Sequence, residues 1–190
     1  MASALAIAAS GASAAIIDFD NASLGTHTNY AEEGFVFDKV RVVRAYCESK
    51  PSKPCGAENA FRDSTLTRED GGKFNANSMW FSLLKLTSPL TLVTDHGSQV
   101  FGVGDFLNGV EIQQNAGYNV DLSTLAIFRN ISFLKIVDIT MGEAGSGHDK
   151  GNFRFDDIDV APVPLPAAGL MLIAGLGGLA TLRRRKQIAA

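Results

Sequence analysis

Five aspartates lie near the two ends of the central part of the chain: Asp18, Asp20, Asp156, Asp157 and Asp159. If the first and last strands of a domain are neighbours, as chain ends often are, these carboxylates gather at one place. Their mutual repulsion then favours a hard cation with oxygen ligands, so Asp18, Asp20, Asp156 and Asp157 are candidate ligands of a structural calcium ion. The alternative is that all five are solvated residues at strand ends. No other cofactor is expected.

Residues that could support catalysis are few and scattered. The histidines His27, His96 and His148 fall among predicted loops. The segment 95–98 reads Asp-His-Gly-Ser, but a catalytic triad is usually assembled from distant segments. The neighbours Glu32-Glu33 would point to opposite faces of a strand, so they do not form an acid–base couple alone. The sequence therefore predicts a protein that is not an enzyme, with a secreted cell-envelope hydrolase as the alternative.

The chain has two cysteines, Cys47 and Cys55, at the ends of the segment CESKPSKPC. The Lys, Ser and Pro residues between them are typical of an exposed loop. In an oxidising compartment the simplest arrangement is a disulfide that closes this loop, worth roughly 2 to 3 kcal/mol before any strain. Two free thiols are the alternative. A metal site is disfavoured because no further Cys or His lies nearby at ligand spacing.

Short apolar or alternating runs separated by turn residues fill the chain from about 16 to 160. Such runs favour strands, and only 121–129 is interpreted as a short helix or turn. Many short strands at regular spacing predict an all-β fold, an antiparallel β-sandwich over 16–160. The expected core residues are Phe35, Phe37, Val42, Trp80, Leu84, Val103, Ile112, Phe133, Ile136, Phe153 and Phe155.

The charge pattern argues against nucleic acid as a partner. The net charge is −3, and the basic residues are spread through the middle of the chain except for one cluster near the C-terminus. Nucleic-acid binding needs a concentrated basic face, which this distribution does not provide.

The first segment, 1–15, has the character of a secretory signal peptide. It is a run of small apolar residues that ends in Ala12-Ser13-Ala14, a pattern that signal peptidase accepts. The mature chain would begin near Ala15 or Ile16. The segment lacks the Lys or Arg with which such signals open, so the signal is interpreted as truncated. A helix of the folded domain is the alternative.

The last 30 residues contain three different segments in succession. Residues 161–166 form a proline-rich, extended linker, and 167–182 carry no charge. The uncharged segment would measure roughly 24 Å as a helix, so it predicts a marginal transmembrane helix. The basic tail 183–190 should stay cytoplasmic, because it opens with the positive residues Arg183, Arg184, Arg185 and Lys186.

Two interpretations of this tail are open, a plain C-terminal membrane anchor and a sorting signal. A buried helix of the domain is disfavoured, because the segment 167–182 is apolar on all sides and contains four glycines. What separates the anchor from the signal is the motif at its start, which reads Val163, Pro164, Leu165, Pro166 and Ala167.

The tail resembles the PEP-CTERM class of bacterial sorting signals, in its VPLPA variant. The resemblance rests on three features together: the motif, the glycine-containing hydrophobic segment and the arginine cluster. The resemblance covers the tail alone. It implies an exosortase-type membrane enzyme as partner, and a host that makes exopolysaccharide. The Pro-Glu-Pro of the family name is Pro-Leu-Pro at 164–166, which implies a subtype of processing enzyme and leaves the scissile bond unplaced.

A second resemblance spans most of the ectodomain. The segments IDFDNASLGTHTNYAEEGFVFD and FRFDDIDV look like the first and last strands of jelly-roll or lectin-like β-sandwiches that are attached to such tails. A degenerate Gram-positive sortase signal at 165–169 is the competing interpretation, but it lacks the threonine that a sortase attacks.

These observations together predict an exported bacterial surface or extracellular-matrix protein. We expect it in the inner membrane through its C-terminal helix, with the ectodomain in the periplasm before processing and at the cell surface or outside the cell afterwards. Exopolysaccharide is the candidate ligand of the ectodomain. The alternatives are the secreted hydrolase with the same tail and the plain anchored membrane protein.

Overall fold

The computed structural model describes residues 13–43, 56–58, 63–138 and 152–164. Thirteen strands lie in these ranges, all within one compact unit that spans Ala12–Val163. They are β1 Ala15–Ile17, β2 Gly25–Glu32, β3 Phe35–Val42, β4 Ala57–Glu58, β5 Asp63–Arg68, β6 Phe74–Leu83, β7 Leu90–Thr94, β8 Gly97–Phe101, β9 Phe106–Leu107, β10 Val110–Glu111, β11 Gly117–Asp121, β12 Leu134–Val137 and β13 Phe153–Pro162.

Eleven of these strands form one continuous sheet in the order β11-β6-β13-β4-β3-β5-β12-β7-β8, with β1 added beside β13 and β2 beside β3. The pairs are antiparallel, and β9 and β10 form a separate two-stranded hairpin. The sheet curls so that one face surrounds the core. The first and last strands are neighbours, because Ile17 pairs with Ile158 and Ala15 with Val160.

Alternation of apolar and polar residues explains which face of each strand is buried. In β3 the buried residues are Phe35 and Phe37, then Val40 and Val42, so the inward face changes between residues 37 and 40. The ladder between β3 and β5 ends at Phe37. Beyond it, the side chain of Asp38 accepts a hydrogen bond from the backbone N–H of Thr65 at 2.7 Å. A carboxylate thus satisfies a backbone donor that the ladder no longer pairs.

The centre of the core is aromatic. The ring of Phe19 lies 5.3 Å from Tyr30, 5.6 Å from Phe37 and 6.1 Å from Phe155, measured between ring centroids. These rings come from the first loop, β2, β3 and β13, so they join the two ends of the chain to the middle of the sheet. Such aromatic pairs each contribute about 0.5 to 1.5 kcal/mol beyond the area that they bury.

Eight of the eleven expected core residues are buried, whereas Leu84, Val103 and Phe133 are only partly so. Trp80 is buried, but it is not part of the main apolar cluster. It pairs in the ladders with Asn119 and Asp156, whereas its neighbour Phe81 is in that cluster. The strand pattern therefore predicts burial well.

The predicted all-β class is confirmed, but the predicted sandwich is wrong, because the strands form one curled sheet and not two packed sheets. The two-residue strand β4 links β13 to β3 and so makes the sheet continuous. Ala57 pairs with Phe155 of β13 on one side and with Val42 of β3 on the other. Strand periodicity reports which face of a strand is buried, but it does not report which edges pair. A linking strand of two residues has no periodicity to detect.

The transmembrane helix in the same prediction is not seen either. In the described part of the chain the helical element is a single 3-10 turn, Ala126–Phe128, inside the segment 121–129 expected to be a helix or turn. No helix in those ranges is long and apolar enough to cross a membrane. The predicted span, 167–182, lies outside the described residues.

Candidate functional site

The end of β13 is the candidate site, because the described domain meets the predicted sorting motif there. Pro162 pairs with Phe74 in the ladder between β13 and β6. The next residue, Val163, donates its backbone N–H to the carbonyl oxygen of Lys73 at 2.8 Å. Pro164 follows as an exposed residue without an N–H to donate. We call Pro162, Val163 and Pro164, with Lys73 and Arg68, the tail junction.

The acceptor side of the tail junction is held by Arg68. Its Nη1 donates to the same Lys73 carbonyl at 2.8 Å, and its Nη2 contacts the carboxylate of Asp70 at 2.5 Å. The other oxygen of Asp70 accepts the backbone N–H of Gly72 at 2.9 Å. Three hydrogen bonds therefore fix the turn between β5 and β6 in the shape that presents the Lys73 carbonyl to Val163.

A recess of about 230 Å³ opens beside this turn. It is lined by the turn between β2 and β3, by the turn after β5, and by Pro162 at the end of β13. The charged residues of the lining are Glu33, Arg68, Glu69 and Asp70. Because Arg68 is already paired with Asp70, the surface beside the tail junction is acidic.

A second group of polar residues surrounds Phe19. We call Asp18, Asp20, Tyr30 and Glu32 the Phe19 corner. Phe19 adopts a left-handed conformation, with φ of 57°, and its side chain is fully buried. For a bulky residue this backbone costs about 1 to 2 kcal/mol, which burial of the ring offsets. Asp18 and Asp20 flank Phe19 in the sequence, and Asp18 accepts the backbone N–H of Asp20 at 2.9 Å.

In the Phe19 corner, Glu32 of β2 contacts both Phe19 and Tyr30. One of its carboxylate oxygens accepts the backbone N–H of Phe19 and the hydroxyl of Tyr30, both at 3.2 Å. Burial raises the pKa of Glu32 above its usual range, the Phe19 N–H opposes the rise, and the negative charge of Asp18 adds to it. Burial and the neighbouring carboxylates likewise raise the pKa of Tyr30. The corner therefore favours the neutral forms of both groups.

The remaining aspartates of the predicted calcium set are arranged differently. β13 carries an irregularity against β6 between Asp156 and Asp159. Asp157 has φ of 44° and donates its backbone N–H to the side chain of Asp156 at 2.8 Å. Asp156 is fully buried, and Asp159 accepts a hydrogen bond from the side chain of Asn77 at 3.2 Å.

The predicted calcium ligands hydrogen-bond to their own neighbouring backbone. The chain ends are adjacent, as the prediction requires. Asp18 accepts the backbone N–H of Asp20, and Asp156 accepts that of Asp157. Within the described ranges, no group of three or more Asp, Glu, His or Cys side chains is placed to hold a metal ion. The structural calcium ion stays a prediction.

The polar residues of the turn between β7 and β8 stabilise a loop. Asp95 accepts the hydroxyl of Ser132 at 2.5 Å and also its backbone N–H at 3.2 Å. Burial pushes the pKa of Asp95 up, but the Ser132 hydrogen bonds outweigh it and the pKa lies below its usual range. His96 contacts the carbonyl of Asn130 at 3.2 Å and not the hydroxyl of Ser132. A Ser-His-Asp triad needs the imidazole between the other two groups, so this arrangement is not one.

Of the predicted residues not yet located, the structure describes His27. His27 contacts the carbonyl of Ser23 at 2.7 Å and stacks edge-on against Tyr30. The cysteines Cys47 and Cys55, His148, the motif residues Leu165, Pro166 and Ala167, and the basic residues Arg183, Arg184, Arg185 and Lys186 lie outside the described residues. The disulfide between Cys47 and Cys55 and the tail from Leu165 onward stay predictions.

Two residues of the tail junction were not expected from sequence. Arg68 and Lys73 flank Gly71-Gly72, a turn signal that marked the loop but not its contact with the end of the chain. Tyr30 was equally unexpected, although Tyr30 and Glu32 are two residues apart and so share a face of β2.

Comparison with known proteins adds no family to this geometry. No family model matches the chain, and no curated protein matches it.

Proposed function

We propose that this chain is an exported bacterial surface or extracellular-matrix protein whose β-sheet domain is delivered by a C-terminal sorting signal. An exosortase-type membrane enzyme would recognise that signal. The observation that carries the proposal is the order of segments in the tail: the motif at 163–167, the uncharged segment 167–182, and the basic residues from Arg183 to Lys186. Each segment alone is common, but their succession is specific.

The limits of the folded domain support the proposal. The first strand begins at Ala15, directly after the predicted cleavage pattern Ala12-Ser13-Ala14. In the described part of the chain, the backbone hydrogen bond of the sheet nearest the C-terminus is made by Val163, the first residue of the motif. Cleavage after Ala14 would leave all pairs between β1 and β13 intact. The two proposed processing signals therefore flank the sheet without removing a strand from it.

The prolines give the motif the shape that a protease needs. Pro164 has no N–H, so it cannot extend the hydrogen-bonded ladder beyond Val163. Pro164 and Pro166 restrict the backbone to extended conformations, so the enzyme loses less conformational entropy when it binds the segment. A permanent anchor needs only apolar length and flanking charge, and would have no use for this rigidity.

Exopolysaccharide is the proposed ligand of the ectodomain. Phe106 on the hairpin of β9 and β10 has 73% of its surface exposed, and Val110 on the same hairpin has 59%. The negative face of an exposed ring attracts the polarised C–H groups of a sugar. The hairpin lies next to β8 in the chain, whereas the tail junction lies at the start of β6. Ligand binding and processing would therefore involve different loops.

The experiment that tests the proposal separates a processed signal from a plain anchor. Replacing both Pro164 and Pro166 with Ala should leave export intact and block maturation in a host that has an exosortase. Replacing Pro51 and Pro54 with Ala changes two closely spaced prolines outside the motif and serves as the control. If the Pro164 and Pro166 variant matures and localises like the parent, the plain anchored protein is the better account.

A further inference from the structure

The first residue of the sorting motif belongs to the folded domain. β13 remains paired with β6 as far as Pro162, and Val163 adds one more hydrogen bond, from its N–H to the Lys73 carbonyl at 2.8 Å. Val163 is also partly buried, whereas Pro164 is exposed. The first residue of the motif is therefore held by the sheet, whereas its second residue is exposed.

The acceptor of this hydrogen bond is preorganised. Arg68 is mostly buried, with 17% of its side chain exposed, and it binds both the Lys73 carbonyl and the Asp70 carboxylate. Asp70 in turn binds the backbone N–H of Gly72. Because three hydrogen bonds fix the turn, movement of Lys73 does not help to open its hydrogen bond with Val163.

A protease that acts on an extended motif needs the backbone of that motif. Such an enzyme pairs with backbone N–H and C=O groups as a neighbouring strand does. While the Val163 N–H is bound to Lys73, that donor is not available. When opening is fast relative to cleavage, the cleavage rate follows the fraction of molecules in which the segment is open.

We propose that the folded domain restrains processing of its own tail: the hydrogen bond between Val163 and Lys73 must open before the membrane enzyme can bind the complete motif. The inference rests on the proposed function, since it assumes that the motif is processed. It makes the end of β13, and not the tail alone, a determinant of how fast the protein matures.

The test inserts Gly-Ser between Pro162 and Val163 in the full-length chain. The insertion moves the motif away from Lys73 and leaves every residue from Val163 onward unchanged. Maturation, followed as the appearance of the shortened protein in the exporting host, should become about three to ten times faster, as expected for the loss of one backbone hydrogen bond. The same insertion between Leu86 and Thr87, two exposed residues of the turn between β6 and β7, is the matched control and should leave the rate unchanged.

Arg68→Gln provides a second variant, because it removes the guanidinium that holds the Lys73 carbonyl and keeps the motif unchanged. It should accelerate maturation in the same direction, by less than the insertion. Unchanged or slower maturation of the insertion variant, with normal maturation of the parent, would overturn the restraint and leave the sorting function in place. A parent that does not mature in a competent host would overturn the sorting function and the restraint with it.

Hydrogen exchange tests the restraint without any processing enzyme. The amide of Val163 in the parent protein should exchange more slowly than an unprotected amide, and the insertion should remove that protection. An unprotected Val163 amide in the parent would contradict the proposal directly.

Discussion

The backbone N–H of Val163 lies 2.8 Å from the carbonyl oxygen of Lys73, which places the first residue of the predicted sorting motif in the folded sheet. Residues 163 and 73 are far apart in sequence, and the contact joins the end of β13 to the turn before β6. The boundary between domain and tail is therefore a single peptide bond, from Val163 to Pro164. This boundary connects the stability of the fold to the accessibility of the motif.

Gly56 should tolerate no side chain. It has φ of +75°, and a Cβ there would lie 2.6 Å from the carbonyl oxygen of Phe155 and 2.7 Å from a carboxylate oxygen of Asp156. We expect Gly56→Ala to lower the free energy of unfolding by about 2 to 4 kcal/mol, through backbone strain and the clash together. Chemical denaturation measures it.

Gly71→Ala is the matched control for this variant. Gly71 has φ of +69°, but nothing lies within 4 Å of the position that its Cβ would occupy. It should therefore lose only about 1 kcal/mol, the cost of the backbone conformation. Equal losses in the two variants would show that the close approach of Gly56 to β13 is wrong.

Glu58 should be important for joining the two parts of the sheet. It lies on β4 with 5% of its surface exposed, and contacts Arg154 of β13 at 3.4 Å and Arg41 of β3 at 4.0 Å. Glu58→Gln removes a buried carboxylate that contacts both arginines, which should cost about 3 kcal/mol. Asp70→Asn is the control: it also breaks a pair with an arginine, but 61% of the Asp70 side chain is exposed, so we expect less than about 1 kcal/mol. A Glu58 variant as stable as the control would argue against the continuous sheet.

Stability should fall with rising pH through the titration of Glu32. Burial holds the pKa of Glu32 above its ordinary value of 4.5 in the folded protein. Between this ordinary pKa and the raised pKa of the folded protein, Glu32 loses its proton in the unfolded chain but keeps it in the folded protein. Unfolding therefore becomes more favourable as pH rises. Glu32→Gln keeps one acceptor oxygen, which can take the place of the oxygen that accepts both the Phe19 N–H and the Tyr30 hydroxyl, but it removes this titration.

The measurement for Glu32 is thermal unfolding at about pH 4 and about pH 7. The melting temperature of Glu32→Gln, relative to the parent, should be higher at the neutral pH than at the acidic one. A relative melting temperature that is the same at both pH values would refute the shift at Glu32.

The strands were predictable from sequence, but their arrangement was not. Alternation identifies Phe35 and Phe37 as inward residues, and the turn residues delimit β6, β7 and β13, because side-chain direction in a strand is a local property. The join between β3 and β13 depends on β4, Ala57–Glu58, which is too short to show any pattern. Pairing between strands distant in sequence is a property of the whole fold, so a sandwich was inferred where one curled sheet exists.

The same distinction applies to the site. The motif that begins at Val163 was visible from its residue types, and the adjacency of chain ends followed from a general tendency of domains. The contact of Glu32 with Phe19 could not be foreseen, because it depends on the left-handed turn at Phe19, a conformation that is rare for a large aromatic residue. The same turn brings the carboxylate of Asp18 close enough to Glu32 for its charge to raise the pKa of Glu32.

Phe106→Ala should weaken binding of the ectodomain to exopolysaccharide from the exporting host. The ring contributes exposed apolar surface that a sugar can cover, and its loss should reduce affinity several-fold, by about 1 kcal/mol. Leu86→Ala is the control, since Leu86 is also exposed, at 65%, but has no ring. Sedimentation of the purified ectodomain with the polysaccharide measures binding, and equal retention of parent and Phe106 variant would remove Phe106 from the proposed ligand site.

The central claim is that the tail from Val163 onward is a processed sorting signal. Mass spectrometry of the mature protein, isolated from a host that carries an exosortase, tests it most directly, because it reports both chain ends and any attached group. We predict an N-terminus at Ala15 or Ile16 and a C-terminus within or just after 163–167, so that the segment 167–182 and the basic residues up to Lys186 are absent. A mature protein that still ends at Ala190 would contradict the claim.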